Sequence, residues 1–394
     1  MKTYNFETIG TRYETGSAKW REIRDFFKED PGDIIPFSVA DMELETAPEI
    51  KEGLKAYIDQ YVMGYANAPA PFLEAVCGWM KRRHDWEVRP EWIVNTPGVV
   101  TAFYNAVHVY TEPGDSVLVM SPVYYPMYRS VKSQSRNLVE TVLVNKGGRY
   151  EIDFDDFEKK CALPEVKLLL FCSPHNPVSR VWTREELLRV GEICLKHGVV
   201  VVSDEIHFDL IMPGYHHTVF ATLPEEIAAN ALVMTAPSKT FNLAGLQTSN
   251  IIISNPELRE KFVAGFRERE VNPKCNVLGM EACRVAYENC EEWLDQVVAL
   301  IDRNKKLVED YAAEKLPELK ITPMEGTYLQ WLDFRAFGIP YKELAERLRK
   351  EAKLFFDDGY IFGAQGEGFE RWNLACPTRY VQEAMERMEK MLRS

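Results

Sequence analysis

Residues 231–247 read ALVMTAPSKTFNLAGLQ, an apolar run that passes through Pro237 and Ser238 to Lys239 and a small, glycine-containing loop. The run is short and apolar at consecutive positions, which fits a strand covered on both faces. Lys239 then stands just past the end of a buried strand. An ammonium in that position must be paired, have a depressed pKa, or serve covalently as an amine. A loop lysine pointing into water is the ordinary alternative, so the rest of the chain has to supply a site.

Six further runs share this texture: WIVN (92–95), SVLVM (116–120), LVETVLV (138–144), KLLLFC (167–172), VVVVS (199–203) and SNIIIS (249–254). Among them lie VTAFYNAVHVY (100–110), TREELLRVGEICLKHG (183–198) and PELREKFVAGFRERE (256–270), each amphipathic at helical spacing. The alternation predicts an α/β fold, a mostly parallel seven-stranded sheet covered by helices. Upstream, a polar, irregular arm leads to a helix expected from Ala47 to Tyr61. Downstream of Gly279 one long helical pattern runs to Leu316. LKITP, GTYLQWLDF, YKELAERLRKEAK, LFFDDG, FERWNLAC and RYVQEAMERMEKML then predict a small α+β domain. The expected division is an arm over 1–46 that packs with the small domain, a large domain over 47–288 and the small domain over 289–394.

The 394 residues are 46% hydrophobic, enough for one large core or two moderate ones, and carry a formal charge of −13. That acidity argues against nucleic-acid or anionic-membrane partners, both of which need a basic face. The N-terminus has no apolar leader-like core and no segment approaches a membrane span, so a cytoplasmic location is expected. Eight cysteines show no CxxC spacing and mostly lie in apolar runs, which favours buried thiols over disulfides or a metal site. Cys275 alone is expected to reach the surface.

In open α/β sheets ligands sit at the carboxyl ends of strands. After WIVN, Gly98, Val99 and Val100 would present N–H groups at a helix N-terminus, an anion or phosphate cradle. KLLLFC is followed by Asn176, VVVVS by Asp204 and His207, and ALVMTA by Ser238 and Lys239. An anion cradle, an amide, a carboxylate and an amine form the set that holds pyridoxal phosphate: a lysine for the Schiff base, a carboxylate for the pyridine nitrogen, an amide for the ring oxygen. Tyr124, after SVLVM, could stack on the ring. Singly, Asn176 reads as a turn residue, Asp204 as a helix cap and Tyr124 as core; their order together is what points to a site.

These residues resemble fold-type I pyridoxal-phosphate enzymes, the aspartate aminotransferase superfamily. The motifs KW (19–20), VADME (39–43), TPGVV, SPHNPVSRVW, SDEIHFDL, SKTFNLAGLQ and RWNLACP resemble more narrowly the MalY/PatB type of cystathionine β-lyase. The resemblance implies Lys239 as the cofactor lysine and acid/base, Asp204 on the pyridine nitrogen, Asn176 on the ring oxygen and also near substrate, and Tyr124 stacked on the ring with a catalytic part. It places Gly98, Val99, Val100, Ser238 and His207 around the cofactor, and Arg371 and Ala40 at the substrate, with Arg371 gripping the α-carboxylate. Tyr65 matches a tyrosine that reaches the neighbouring subunit's site, which implies a homodimer with shared sites. Gln247 stands where many aminotransferases have a phosphate-gripping arginine, His207 where they often have tyrosine, and Ser38 where this branch often carries tryptophan. The implied activity is β-elimination from cystathionine, cystine or another S-substituted cysteine to a thiol, pyruvate and ammonia. An aminotransferase, and a regulatory protein with incidental cofactor binding, are the alternatives.

Overall fold

Seven strands form the central sheet of the computed structural model, which describes residues 2–10, 12–28 and 30–394. They are β1 (Ile93–Thr96), β2 (Ser116–Ser121), β3 (Asn137–Val142), β4 (Val166–Cys172), β5 (Val200–Asp204), β6 (Ala231–Thr235) and β7 (Ser249–Ile252). Their spatial order is β1-β7-β6-β5-β4-β2-β3, with β7 alone antiparallel to its neighbours. The expected α/β architecture is therefore present. The chain runs outward from β2 to β3 and returns to β4 on the other side of β2, so the loops after β2 and β4 diverge around one crevice.

The apolar runs are continuous because both faces are covered. Along β4, Leu168, Leu170 and Cys172 face a layer that includes Phe103, Phe262 and Phe266, whereas Leu169 and Phe171 face the layer of Leu187, Val190 and Ile193. The first layer rests on helices Val99–Tyr110 and Pro256–Glu268, the second on Arg184–His197. The last of these opens with a Thr183–Glu186 capping box and closes on Gly198 at φ 68°, the start and stop signals visible in TREELLRVGEICLKHG.

A second, antiparallel sheet contains Lys320–Ile321, Leu329–Asp333, Phe369–Asn373 and Asp357–Asp358 in spatial order. The arm joins this region through Ile35–Pro36, which pair in parallel with Leu354–Phe355. The segment before Leu329 crosses the strand-end loops: Glu325 and Gly326 donate to Ser179 O, and Thr327 N donates to Leu210 O. Glu325 is buried, and its carboxylate accepts from Arg180 Nε at 2.9 Å, Arg149 Nε at 2.9 Å and Val181 N at 2.9 Å.

Several local expectations need correction. The arm contains a helix, Ala18–Phe27, hidden because one of its two buried residues is Lys19. Helix Ala70–His84 follows the helix Pro48–Gln60, and Tyr125–Lys132 and Phe154–Cys161 are further helices between strands. LVETVLV divides: β3 ends at Val142, and Val144–Lys146 pairs with Arg149–Glu151 across Gly147 and Gly148. The long pattern after Gly279 is two helices, Val277–Asn289 and Glu291–Lys315, broken at Cys290, with Glu291 and Glu292 in the new first turn. Cys275 is buried, its thiol donating to Thr96 O at 3.2 Å; Cys77 is the partly exposed one.

Replacing Glu325 with alanine leaves a buried guanidinium Nε and the Val181 N–H without their acceptor. Glu325→Ala should destabilise the fold by about 3–5 kcal/mol. Calorimetric melting checks this, and an unchanged Tm would refute the clamp.

Candidate active site

The carboxyl ends of β1, β2, β4, β5 and β6 meet the start of β7 around a cavity of about 350 Å³. Ala40, Gly98, Val99, Val100, Tyr124, Asn176, Asp204, His207, Ser238 and Lys239 all line it. Because β7 is antiparallel, its beginning reaches the same edge, and Gln247 and Thr248 line the cavity too. Arg371 adjoins them, donating from Nη1 to Asn176 Oδ1 at 3.0 Å. Tyr65 is apart from them, fully exposed on the segment between two helices.

Gly98 caps helix Val99–Tyr110 at φ 90°, a conformation that suits glycine. A Cβ there would lie 3.3 Å from Gln247 Oε1, so the backbone and Gln247 approach closely. The N–H groups of Val99 and Val100, at the helix N-terminus, face that space. Ser238 and Lys239 sit in the four-residue helix Pro237–Thr240, which follows β6 directly. No arginine lines this cavity among the described residues.

Lys239 Nζ donates to Ala40 O at 2.7 Å, and the Tyr328 hydroxyl donates to the same oxygen at 2.8 Å. Burial pulls the lysine down to about 8, opposed chiefly by Asp41 and reinforced by Arg371. Among the described residues the Asp204 carboxylate accepts only from Ile206 N, at 3.2 Å, and burial pushes it up to about 7. His207 is held well below its usual value by burial, then by Lys239 and Arg371, so its imidazole is neutral. Tyr124 keeps its phenolic proton, its pKa raised mainly by burial.

Arg371 is buried among three partners. Besides Asn176 it ion-pairs with Asp357, whose carboxylate also accepts from Val39 N at 2.9 Å, and its guanidinium lies 4.7 Å from the Phe362 ring centroid. Val39 has φ 56°, an unusual conformation for a β-branched residue, held between Asp357 and the Asn373 amide. Neither Tyr328 nor Asp357 was anticipated. Tyr328 lies within GTYLQWLDF and Asp357 within LFFDDG, segments whose local pattern marks only a small α+β domain. Their role comes from the second sheet packing against the first.

The lysine drawn down to about 8, the buried carboxyl and the helix N-terminus match the amine, pyridine-nitrogen and phosphate partners found in fold-type I pyridoxal-phosphate enzymes. The residues fit that cofactor: among the described residues the Asp204 carboxylate accepts from Ile206 N alone, and His207 Nδ1 and Arg371 Nε are buried without partners. The chain belongs to the aminotransferase class I and II family, whose model matches residues 32–388. It is 41% identical to cystathionine beta-lyase PatB of Bacillus subtilis (strain 168) over 98% of this chain and 100% of that protein. Its structure is similar to cystalysin from Treponema denticola, which contains pyridoxal 5'-phosphate, with TM-score 0.97 and 46% identity over 100% of this chain and 99% of that one. The pyridoxal-phosphate-bound C-S lyase from Staphylococcus hominis gives TM-score 0.92 and 29% identity over 100% and 99%.

Asp204 makes stability depend on pH in a definite direction. Its folded pKa, about 7, exceeds the usual 3.8, so its contribution is complete below 3.8 and is lost as pH rises towards 7. Asp204→Asn, which mimics the protonated form, should raise the Tm of cofactor-free protein more at pH 8 than at pH 5. Thermal melts at the two values test this; an equal or reversed effect would refute the buried carboxyl.

Proposed function

We propose that the protein is a pyridoxal-phosphate-dependent carbon–sulfur β-lyase that releases a thiol, pyruvate and ammonia from cystathionine or another S-substituted cysteine. The carrying observation is full-length similarity to proteins named for this chemistry, including one cystathionine beta-lyase at 41% identity. The cavity supports it. Gln247, whose Nε2 donates to Ala244 O at 2.9 Å, occupies the place of a phosphate-gripping arginine.

The cofactor supplies an electron sink for charge developed at the substrate Cα. Lys239 would hold it through its amine, and the N–H groups of Val99 and Val100, with Gly98 and Ser238, would take its phosphate. Asp204 would accept from the pyridine N–H, a charged donor that would return the carboxyl to its ionised form. Asn176 orients the ring oxygen, Tyr124 offers a stacking face, and His207 packs as a neutral ring. Arg371 receives the substrate α-carboxylate, its planar fork already fixed by Asn176 and Asp357. Lys239 Nζ is the base that would take the substrate Cα proton. Its depressed pKa makes the neutral amine accessible near physiological pH.

The active unit is a homodimer in this reading. Ile58, Tyr61, Val62, Met63 and Tyr65 form an exposed apolar group on one segment, which suits burial against a second copy. The partner's Tyr65 would then complete the phosphate site. The division into an arm, a large cofactor-binding domain and a small C-terminal domain is supported by sheet membership, β1 to β7 falling within 93–252 and the second sheet within 320–373. No helix of the described residues is long and apolar enough to cross a membrane. The eight cysteines are unpaired, which suits a reducing cytoplasm.

Purified holoenzyme given L-cystathionine without an oxo acid should release pyruvate and free thiol. No pyruvate, with rapid turnover once an oxo acid is added, would replace this reading by aminotransfer. Lys239→Ala should abolish turnover and the near-visible band of the lysine-bound cofactor; a persisting band would mean another lysine is used. Co-expressed Lys239→Ala and Tyr65→Ala chains should regain activity in hybrid dimers, one intact site in each. Hybrids as inactive as both parents would rule out shared sites.

A further inference from the structure

Beyond the Arg371–Asp357 pair lies a second cleft, of about 950 Å³, that Tyr125 and Asp357 help to line. Both connect it to the catalytic cavity. Tyr125 follows Tyr124, their ring centroids 5.3 Å apart, and Asp357 carries the ion pair with Arg371.

Two helices bring opposite charges to this cleft, whose lining also includes the Arg349–Asp358 ion pair. One is helix Tyr125–Lys132, where Tyr125, Tyr128, Arg129 and Lys132 recur at i, i+3, i+4 and i+7 and share a face. The Arg129 guanidinium lies 4.8 Å from the Tyr125 ring centroid and Lys132 Nζ 6.0 Å from that of Tyr128. Neither cation has an ion pair or side-chain hydrogen bond among the described residues. The other is the arm helix Ala18–Phe27, which presents Glu22 and Asp25. Asp25 has only a 3.7 Å contact with Arg21, and Glu22 has no partner among the described residues. Burial raises the Glu22 pKa and Asp357 adds to the rise, while Arg371 and Arg349 oppose it.

Unpaired acids on one helix and unpaired bases on another, lining one cleft with tyrosines between them in the lining, match a ligand that carries an ammonium and a carboxylate on one carbon. We propose that this cleft is a subsite for the leaving-group half of the substrate, with Glu22 and Asp25 receiving a distal ammonium and Arg129 and Lys132 a distal carboxylate. The proposal rests on the β-lyase reading and deepens it: the enzyme prefers substrates whose leaving group is itself an amino acid over simple S-alkyl cysteines. Arginine and lysine rather than aspartate must meet the carboxylate, and the aromatic floor accommodates the aliphatic stem between the two heads.

Four probes separate the contributions: L-cystathionine carries both distal charges, S-(2-aminoethyl)-L-cysteine only the ammonium, S-(2-carboxyethyl)-L-cysteine only the carboxylate, and S-methyl-L-cysteine neither. Relative to S-methyl-L-cysteine, Glu22→Gln should lower kcat/KM about threefold to tenfold for the first two, through KM. Arg129→Gln should do so for cystathionine and the carboxyethyl compound. Wild-type selectivity should fall towards that for S-methyl-L-cysteine as salt is raised. A uniform change across all four probes, the result expected if the two helices merely pair with each other on closure, would overturn the subsite, as would unchanged selectivity. Wild-type enzyme that yields pyruvate from none of the four overturns the β-lyase reading itself, and the subsite with it.

Discussion

A lysine ammonium and an aspartate carboxyl are withdrawn from water at one sheet edge without pairing with each other. Burial drives both towards neutrality, Lys239 down to about 8 and Asp204 up to about 7. Among the described residues each side chain has a single hydrogen bond, from Lys239 Nζ to Ala40 O and from Ile206 N to the Asp204 carboxylate. A cofactor that bonds to the amine and presents a charged N–H to the acid resolves both desolvation problems together. The sheet supplies the separation: β5 and β6 are adjacent and parallel, so their carboxyl ends deliver the two groups to one cavity from neighbouring strands.

The Ala40 carbonyl must be held as firmly as the lysine it meets. That loop carries a buried charge cluster: Lys19, fully buried, lies 3.2 Å from Asp41 and 2.9 Å from Glu43, and Arg12 binds both acids as well. Pairs this deeply buried contribute little net stability, since desolvation offsets attraction, but they penalise any arrangement in which one member is unpaired. Asn373 adds hydrogen bonds to Val39 O and Asp41 O, and Asn242 exchanges bonds with Met42. Together these hold Val39 in its left-handed conformation. The KW and VADME motifs near the N-terminus are thus two halves of one ion cluster beneath the active site.

The second sheet supplies Arg371 beside the cavity. Arg371 belongs to the strand Phe369–Asn373 and Asp357 to its antiparallel neighbour, directly opposite in register. Their pairing fixes the guanidinium in place, so a ligand that bound it would meet a lower ordering cost. Arg371 also reaches Asn176, in the loop after β4, so one side chain joins the two sheets beside the cavity.

The strand order itself was not legible, but the strands were, because a buried parallel sheet writes continuous apolar runs and its edge writes the residues that follow them. Gly98, Asn176, Asp204 and Lys239 could be found in this way from local pattern. The arm helix could not, since Lys19 is buried in an ion cluster rather than packed as an apolar residue, and the helical break at Cys290 is marked only by an acidic pair. Arg371 was legible through resemblance alone: within FERWN nothing distinguishes it from a surface arginine. Local pattern is enough for the α/β class and for the chemical types at the strand ends, because burial and backbone geometry constrain residues locally. Packing of the two sheets is what brings Asp357 and Tyr328 beside the cavity and puts Glu22 and Arg129 in the lining of one outer cleft, because these segments lie far apart in the chain and leave no periodic trace in either.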